Sequence, residues 1–174
     1  GETPKDYVWV FTYESNNNKI DDANKPLAGA KFQIKNGDTV IKLVDKGNGE
    51  YVVADQSLEV STVEGASPKI VDTMVSTGTD AKFNIKGLDA GTYTLVETAA
   101  PKGYKVAADT VFHISATHAE QTSNAEKADV TLATGEGNSL NHKIVDSSSS
   151  KLPSTGGVGT TLFVLGGGCM AGLA

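Results

Sequence analysis

The stretch GLDAGTYTLVETAAPKGY, residues 87–104, decides how the rest of the chain is read. Gly87-Leu88-Asp89-Ala90-Gly91 is turn chemistry, and Thr92–Thr98 then alternates as a strand does. Tyr93, Leu95 and Glu97 fall on one face, with Thr94 and Val96 on the other. If the aromatic and leucine face is inward, Glu97 goes with it. An unpaired buried carboxylate is costly, so burial raises its pKa and keeps it protonated, able to donate a hydrogen bond.

Outward from this strand the same pattern recurs. Tyr7–Tyr13 is aromatic and β-branched, and Ala30-Lys31-Phe32-Gln33-Ile34 alternates apolar with polar. Thr39–Val44 and Glu50–Ala54 flank Asp45-Lys46-Gly47-Asn48-Gly49, a hairpin turn. Ala81–Ile85 sets Phe83 and Ile85 on one face, and Thr110–Ser115, Ala128–Leu132 and Ser139–Val145 are further strands. Asp55–Val75 reads as an insertion with short strands. No stretch before the C-terminal tail carries a helical stripe. Many short strands separated by Gly-rich turns predict an all-β chain, an antiparallel β-sandwich or barrel.

Composition removes several function classes. The 174 residues suit one ordinary domain with appendages. A formal net charge of −6 argues against a basic grip on nucleic acid. One cysteine, Cys169, supports neither an internal disulfide nor a multi-cysteine zinc site. His113 alternates with apolar neighbours and is expected to be exposed, and His118 and His142 are not at metal spacing with it. Asp21-Asp22 and Asp45–Asn48 fit turns, not a calcium loop. No phosphate loop and no catalytic triad motif is present, so neither a cofactor nor a metal is expected, nor an enzyme in the usual sense.

The end of the chain differs from the rest. Asp146-Ser147-Ser148-Ser149-Ser150-Lys151 is a polar linker. Leu152-Pro153-Ser154-Thr155-Gly156 follows, and then an uncharged, Gly-rich apolar stretch to Ala174, shorter than the roughly 20 residues a spanning helix needs. The expected division is a domain at 1–146, a Ser-rich linker at 147–151 and a tail at 152–174. The opening GETPKDYVWV, without a start methionine, reads as a processed or excised piece, and the tail as truncated.

Leu152–Gly156, with its Ser-rich spacer and apolar tail, resembles the LPxTG cell-wall sorting signal of Gram-positive surface proteins, departing from it by lacking a basic end. Tyr93–Tyr104 resembles the E-box of Gram-positive pilins and of collagen-adhesin B-type (CnaB-like) domains. Lys25-Pro26-Leu27-Ala28-Gly29-Ala30-Lys31-Phe32 looks like the start of their second strand, and Gly87–Tyr93 fits the turn before the E-box.

The resemblance implies a reversed immunoglobulin-like sandwich (CnaB type) in a structural subunit of a pilus (fimbria) or wall-anchored adhesin. It implies sortase cleavage between Thr155 and Gly156 and transfer of the Thr155 carboxyl to an amine of peptidoglycan or a neighbouring subunit. Localisation would be extracellular, covalently on the wall. The alternative function is a ligand-binding adhesin module for host matrix or glycan, its site in Asp55–Asp80.

Such domains carry an internal Lys–Asn isopeptide bond whose formation an acidic residue catalyses. By position the resemblance points to Glu97 as catalyst, Lys19 as nucleophile and Asn141 as electrophile, with Asn138 the nearby competitor. The run Glu14–Asn18 before Lys19 is polar where the family alternates with valines. A lysine attacks only when neutral, which apolar surroundings favour. A protonated Glu97 would polarise the amide so that ammonia leaves, in one turnover.

Overall fold

The structure, a computed structural model, describes residues 10–118, 130–134 and 137–148. The Leu152–Gly156 motif, Cys169 and Tyr7–Trp9 lie outside the described residues, as do Ala128 and Asp129. No helix occurs among the described residues. The strands are β1 (Tyr13–Asp21), β2 (Lys31–Asn36), β3 (Thr39–Val40), β4 (Leu43–Gly47), β5 (Glu50–Val53), β6 (Ile70–Val71), β7 (Met74–Val75), β8 (Asn84–Leu88), β9 (Gly91–Ala99), β10 (Thr110–Ile114), β11 (Ala116–His118), β12 (Val130–Leu132) and β13 (Asn141–Asp146).

Two sheets form the sandwich. One runs β13-β1-β8-β5-β4-β6, and the other β10-β9-β2-β3 with β7 also on β2. A small third sheet pairs β11 with β12. The antiparallel expectation needs one refinement, because β1–β13 and β5–β8 are parallel. The first and last strands thus lie side by side and run the same way. That is possible because the long excursion between them lets the chain return to the same end.

The core lies between the sheets. β9 turns Tyr93, Leu95 and Glu97 inward, as its alternation predicts. Phe32 and Ile34 of β2 and Phe112 and Ile114 of β10 join them, against Leu43, Tyr51, Ile85 and Ile144 of the other sheet. Phe32 stacks on Phe83 with ring centroids 4.0 Å apart and planes 11° from parallel, joining the layers. The Tyr51 hydroxyl accepts from Val75 N–H at 2.9 Å, which ties β7 to β5.

Local sequence explains most of the boundaries. Asp45–Gly49 makes the β4–β5 hairpin, with Asn48 and Gly49 at φ of 55° and 76°. A Cβ on Gly49 would stand 2.5 Å from the Lys82 carbonyl oxygen, so the hairpin approaches that backbone only as glycine. Thr39–Val44 is one run in sequence but two strands, β3 and β4, in different sheets. Likewise Gly87–Gly91 is a corner carrying the chain from β8 in one sheet to β9 in the other. Asp55–Val75 carries the expected short strands, and they join the sandwich: β6 pairs with β4, and β7, which begins at Met74, pairs with β2.

Candidate functional site

The inward face of β1 is polar along its length. Ser15, Asn17, Lys19 and Asp21 all point in and are buried. Such a face is tolerable only if each group finds a partner. Asn17 Nδ2 donates to Phe83 O at 2.9 Å, and Asn17 Oδ1 accepts from Ser15 Oγ at 3.1 Å. His142 Nδ1 lies 2.7 Å from Asn17 Oδ1, so that nitrogen carries the proton and donates. The His142 ring also packs on Phe112, centroids 4.5 Å apart, and burial pushes its pKa down. The polar run Glu14–Asn18 is therefore accommodated, and Lys19 beyond it is wholly buried.

Lys19 Nζ meets two backbone carbonyls as a hydrogen-bond donor and one carboxylate as an ion pair. Nζ donates to Ile20 O at 3.0 Å and to Ile144 O at 2.9 Å, and it lies 2.8 Å from Asp146 Oδ1. Glu97 Oε1 is 3.7 Å from the same Nζ. All three side chains have no solvent exposure. The Glu97 carboxyl is pushed up to about 8, first by burial, then by the hydrogen bond and the negative charge of Asp146; Lys19 and the Ala107 N–H oppose the rise. At neutral pH Glu97 is therefore the protonated carboxyl of the pair. Its Oε2 accepts from Ala107 N–H at 3.3 Å.

Three strands supply this cluster: β1 the amine, β9 the acid and β13 the second carboxyl. In the parallel β1–β13 pair Lys19 is opposite Ile144, and Asp146 lies two residues further on the same face. Asn141 is not brought to Lys19. It pairs with Asn16 and is exposed on the opposite face of β13 with Lys143 and Val145. Its Oδ1 accepts from Asn16 Nδ2, at 3.4 Å. Lys19 and Glu97 are thus together, while the third member is Asp146, which sequence reasoning placed at the start of the linker. Strand parity carried the signal: Ile144 is the large apolar residue of this strand, and Asp146 shares its parity whereas Asn141 does not.

The arrangement is suited to amide formation. A buried amine faces a carboxyl carbon, with a protonated acid beside it and water excluded. Among the described residues no group of three or more His, Cys, Asp or Glu could hold a metal ion.

A family model described as SpaA, prealbumin-like fold domain, matches residues 14–131. Among solved structures, the shaft pilin SpaA from Lactobacillus rhamnosus GG is 28% identical with a TM-score of 0.51, covering 83% of this chain and 50% of that one. The C-terminal domain of that pilin, solved alone, is 28% identical with a TM-score of 0.51, covering 80% of this chain and 100% of that one. The group B streptococcus pilus 2b backbone protein is 22% identical, with a TM-score of 0.46, covering 81% of this chain and 43% of that one. The chain spans about half the length of the whole shaft pilin it matches. No curated protein matches it.

Proposed function

Because the chain belongs to the SpaA prealbumin-like fold domain family, we propose that it is a structural segment of a Gram-positive pilus, locked by an internal Lys19–Asp146 isopeptide bond. The observation that carries the bond is the 2.8 Å approach of Lys19 Nζ to Asp146 Oδ1, with Glu97 3.7 Å from the same nitrogen, all without solvent.

The step balances within the cluster. A proton passes from the Lys19 ammonium to the Asp146 carboxylate, giving a free amine and a carboxylic acid. Glu97, protonated, donates to the Asp146 carbonyl oxygen and makes Cγ more electrophilic. Nζ attacks Cγ, the Nζ–Cγ bond forms and the Cγ–OH bond breaks. The hydroxyl leaves as water with one proton from Nζ, and Glu97 ends with its own proton restored. One ammonium and one carboxylate become one amide and one water.

The tail completes the function. In this reading the chain divides into a domain at 1–146, a Ser-rich linker at 147–151 and a sorting segment at 152–174. A sortase cuts after Thr155 and joins it to peptidoglycan or to a neighbouring pilin subunit, placing the protein outside the cell on the wall. The support for this is the Leu152–Gly156 motif in its setting and the likeness to a shaft pilin. Intact-mass measurement of residues 1–151 tests the bond: a mass one water below that of the sequence is expected, and an unshifted mass would sink it.

A further inference from the structure

The segment between β9 and β10 touches β9, β1 and the residues that directly follow β13. Its turn closes on itself through Tyr104 N–H to Pro101 O at 3.0 Å, with Gly103 at a φ of 90°. Toward β9, Ala107 N–H donates to Glu97 Oε2 at 3.3 Å. Toward β13, Lys105 N–H donates to Ser147 O at 3.0 Å, and Tyr104 bridges to Ser148, so the two residues after Asp146 are strapped to the loop. Toward β1, the Tyr104 hydroxyl donates to Asp21 Oδ2 at 3.4 Å. Asp21 is two residues beyond Lys19 and is the register partner of Asp146.

Asp21 is itself fixed. Its Oδ1 accepts from Ala23 N–H and Lys25 N–H, both at 2.8 Å, which holds the turn after β1. The backbone N–H of Lys25, more than any other single contact, holds the Asp21 carboxyl below the usual aspartate range, with Ala23 and Tyr104 adding to it against the opposing effect of burial. The Tyr104 hydroxyl therefore meets a carboxylate, and the contact is charge-assisted.

Taking the Lys19–Asp146 bond as given, we infer that Tyr104 is a positioning residue for its formation, anchoring the 101–107 loop to β1 so that the loop holds Glu97 and the end of β13 against Lys19. The Tyr104 hydroxyl meets Asp21, two residues beyond the reacting amine. It acts through Asp21, through the Ser147–Ser148 strap and through the loop that ends at the Ala107 N–H. The amine and both carboxyls come from three strands whose ends meet here, and an approach of a few ångströms is sensitive to small displacements of any one.

The test is Tyr104→Phe, which removes one oxygen and keeps the ring. Chains of residues 1–151 are made by cell-free synthesis, and the one-water mass loss is followed with time across a pH series. The groups facing Glu97 are Lys19 from β1 and Asp146 from β13, with Asp21 and Tyr104 one contact farther. The variant is expected to react about threefold to tenfold more slowly. Its loss of rate at alkaline pH is expected to set in at lower pH than in the parent, because water reaches a loosened Glu97. A role confined to stability would lower the folded fraction without moving that midpoint. A Tyr104→Phe chain matching the parent in both rate and midpoint overturns the inference. If that variant does not fold, Asp21→Asn, whose amide oxygen can still accept from Ala23 and Lys25, must show the same slowing and shift, and its failure to do so overturns the inference equally. A parent that never loses water counts against the bond itself; a reacting parent with an indifferent variant counts against Tyr104 alone.

Discussion

Asp146 Oδ1 stands 2.8 Å from Lys19 Nζ, at the far end of a parallel strand pair that joins the first strand of the described fold to its last. Before any bond forms, this is a buried ion pair with a third ionisable group beside it, an expensive arrangement to assemble. Conversion to an amide removes both charges. The cost of burying the cluster and the chemistry it favours thus have the same origin, the exclusion of water by the two sheets.

The electrophile is the first point to test. Intact mass of Asn141→Ala should still fall one water short of its sequence, while Asp146→Ala should match its sequence mass. Asp146→Asn should instead lose one ammonia if Glu97 activates the amide as it does the acid. Loss of ammonia from the parent, abolished by Asn141→Ala, would restore Asn141 as the partner.

Bond formation should slow as pH rises through about 8, the value to which Glu97 is raised. The sign follows from linkage. A carboxyl raised in the fold from 4.5 favours the protonated state, so its contribution is complete below 4.5 and is lost as pH passes about 8. Mass time courses at a series of pH values report this directly. A rate that climbs steadily through that range would remove protonated Glu97 from the mechanism.

Glu97→Ala should fold and remain uncrosslinked. By analogy with a disulfide closing a loop of this length, losing the constraint costs at most ~4–5 kcal/mol. Thermal melts of the variant beside the parent measure the difference, and a variant that still loses water would deny Glu97 its role.

His142 should make the uncrosslinked protein acid-sensitive. Its pKa is lowered by burial, so the unfolded chain takes up a proton that the fold resists as pH drops below about 6.5. Stability is complete above that value and declines below it until the depressed folded pKa is reached. Denaturant titrations of Glu97→Ala on either side of pH 6.5 should show the loss, and His142→Gln in the same background should reduce it. Equal losses with and without the imidazole would place the acid sensitivity elsewhere.

Replacing Thr155 by Ala in a cell with a matching sortase should leave the protein unattached to the wall. Fractionation of the wall against the membrane and medium checks this, and undiminished attachment would end the sorting reading.

Period-two alternation and turn residues made much of the sandwich legible. Residues 92–98 announced which face of β9 is inward, and with it the burial of Glu97, because a strand side chain has only two directions to take. Asp45–Gly49 announced its hairpin for the same local reason. β1 was less legible: Ser15, Asn17, Lys19 and Asp21 alternate with Asn16, Asn18 and Ile20, so hydrophobicity carries no sign that the polar set is the inward one. Their burial depends on Phe83 O, His142 and Ile144 O, partners far away in the chain. The choice between Asn141 and Asp146 was likewise tertiary. Each is a short polar residue near the end of a strand, and composition does not separate them. The register that sets Lys19 opposite Ile144 does, because it gives Asp146 the inward parity and leaves Asn141 facing solvent. The sequence determined the inward face of β9, and with it Glu97; that Lys19 meets it was implied by the family resemblance alone. Only the parallel pairing of the first and last described strands decided which side chain of β13 meets them, since hydrogen-bond register between distant strands is a property of the folded sheet.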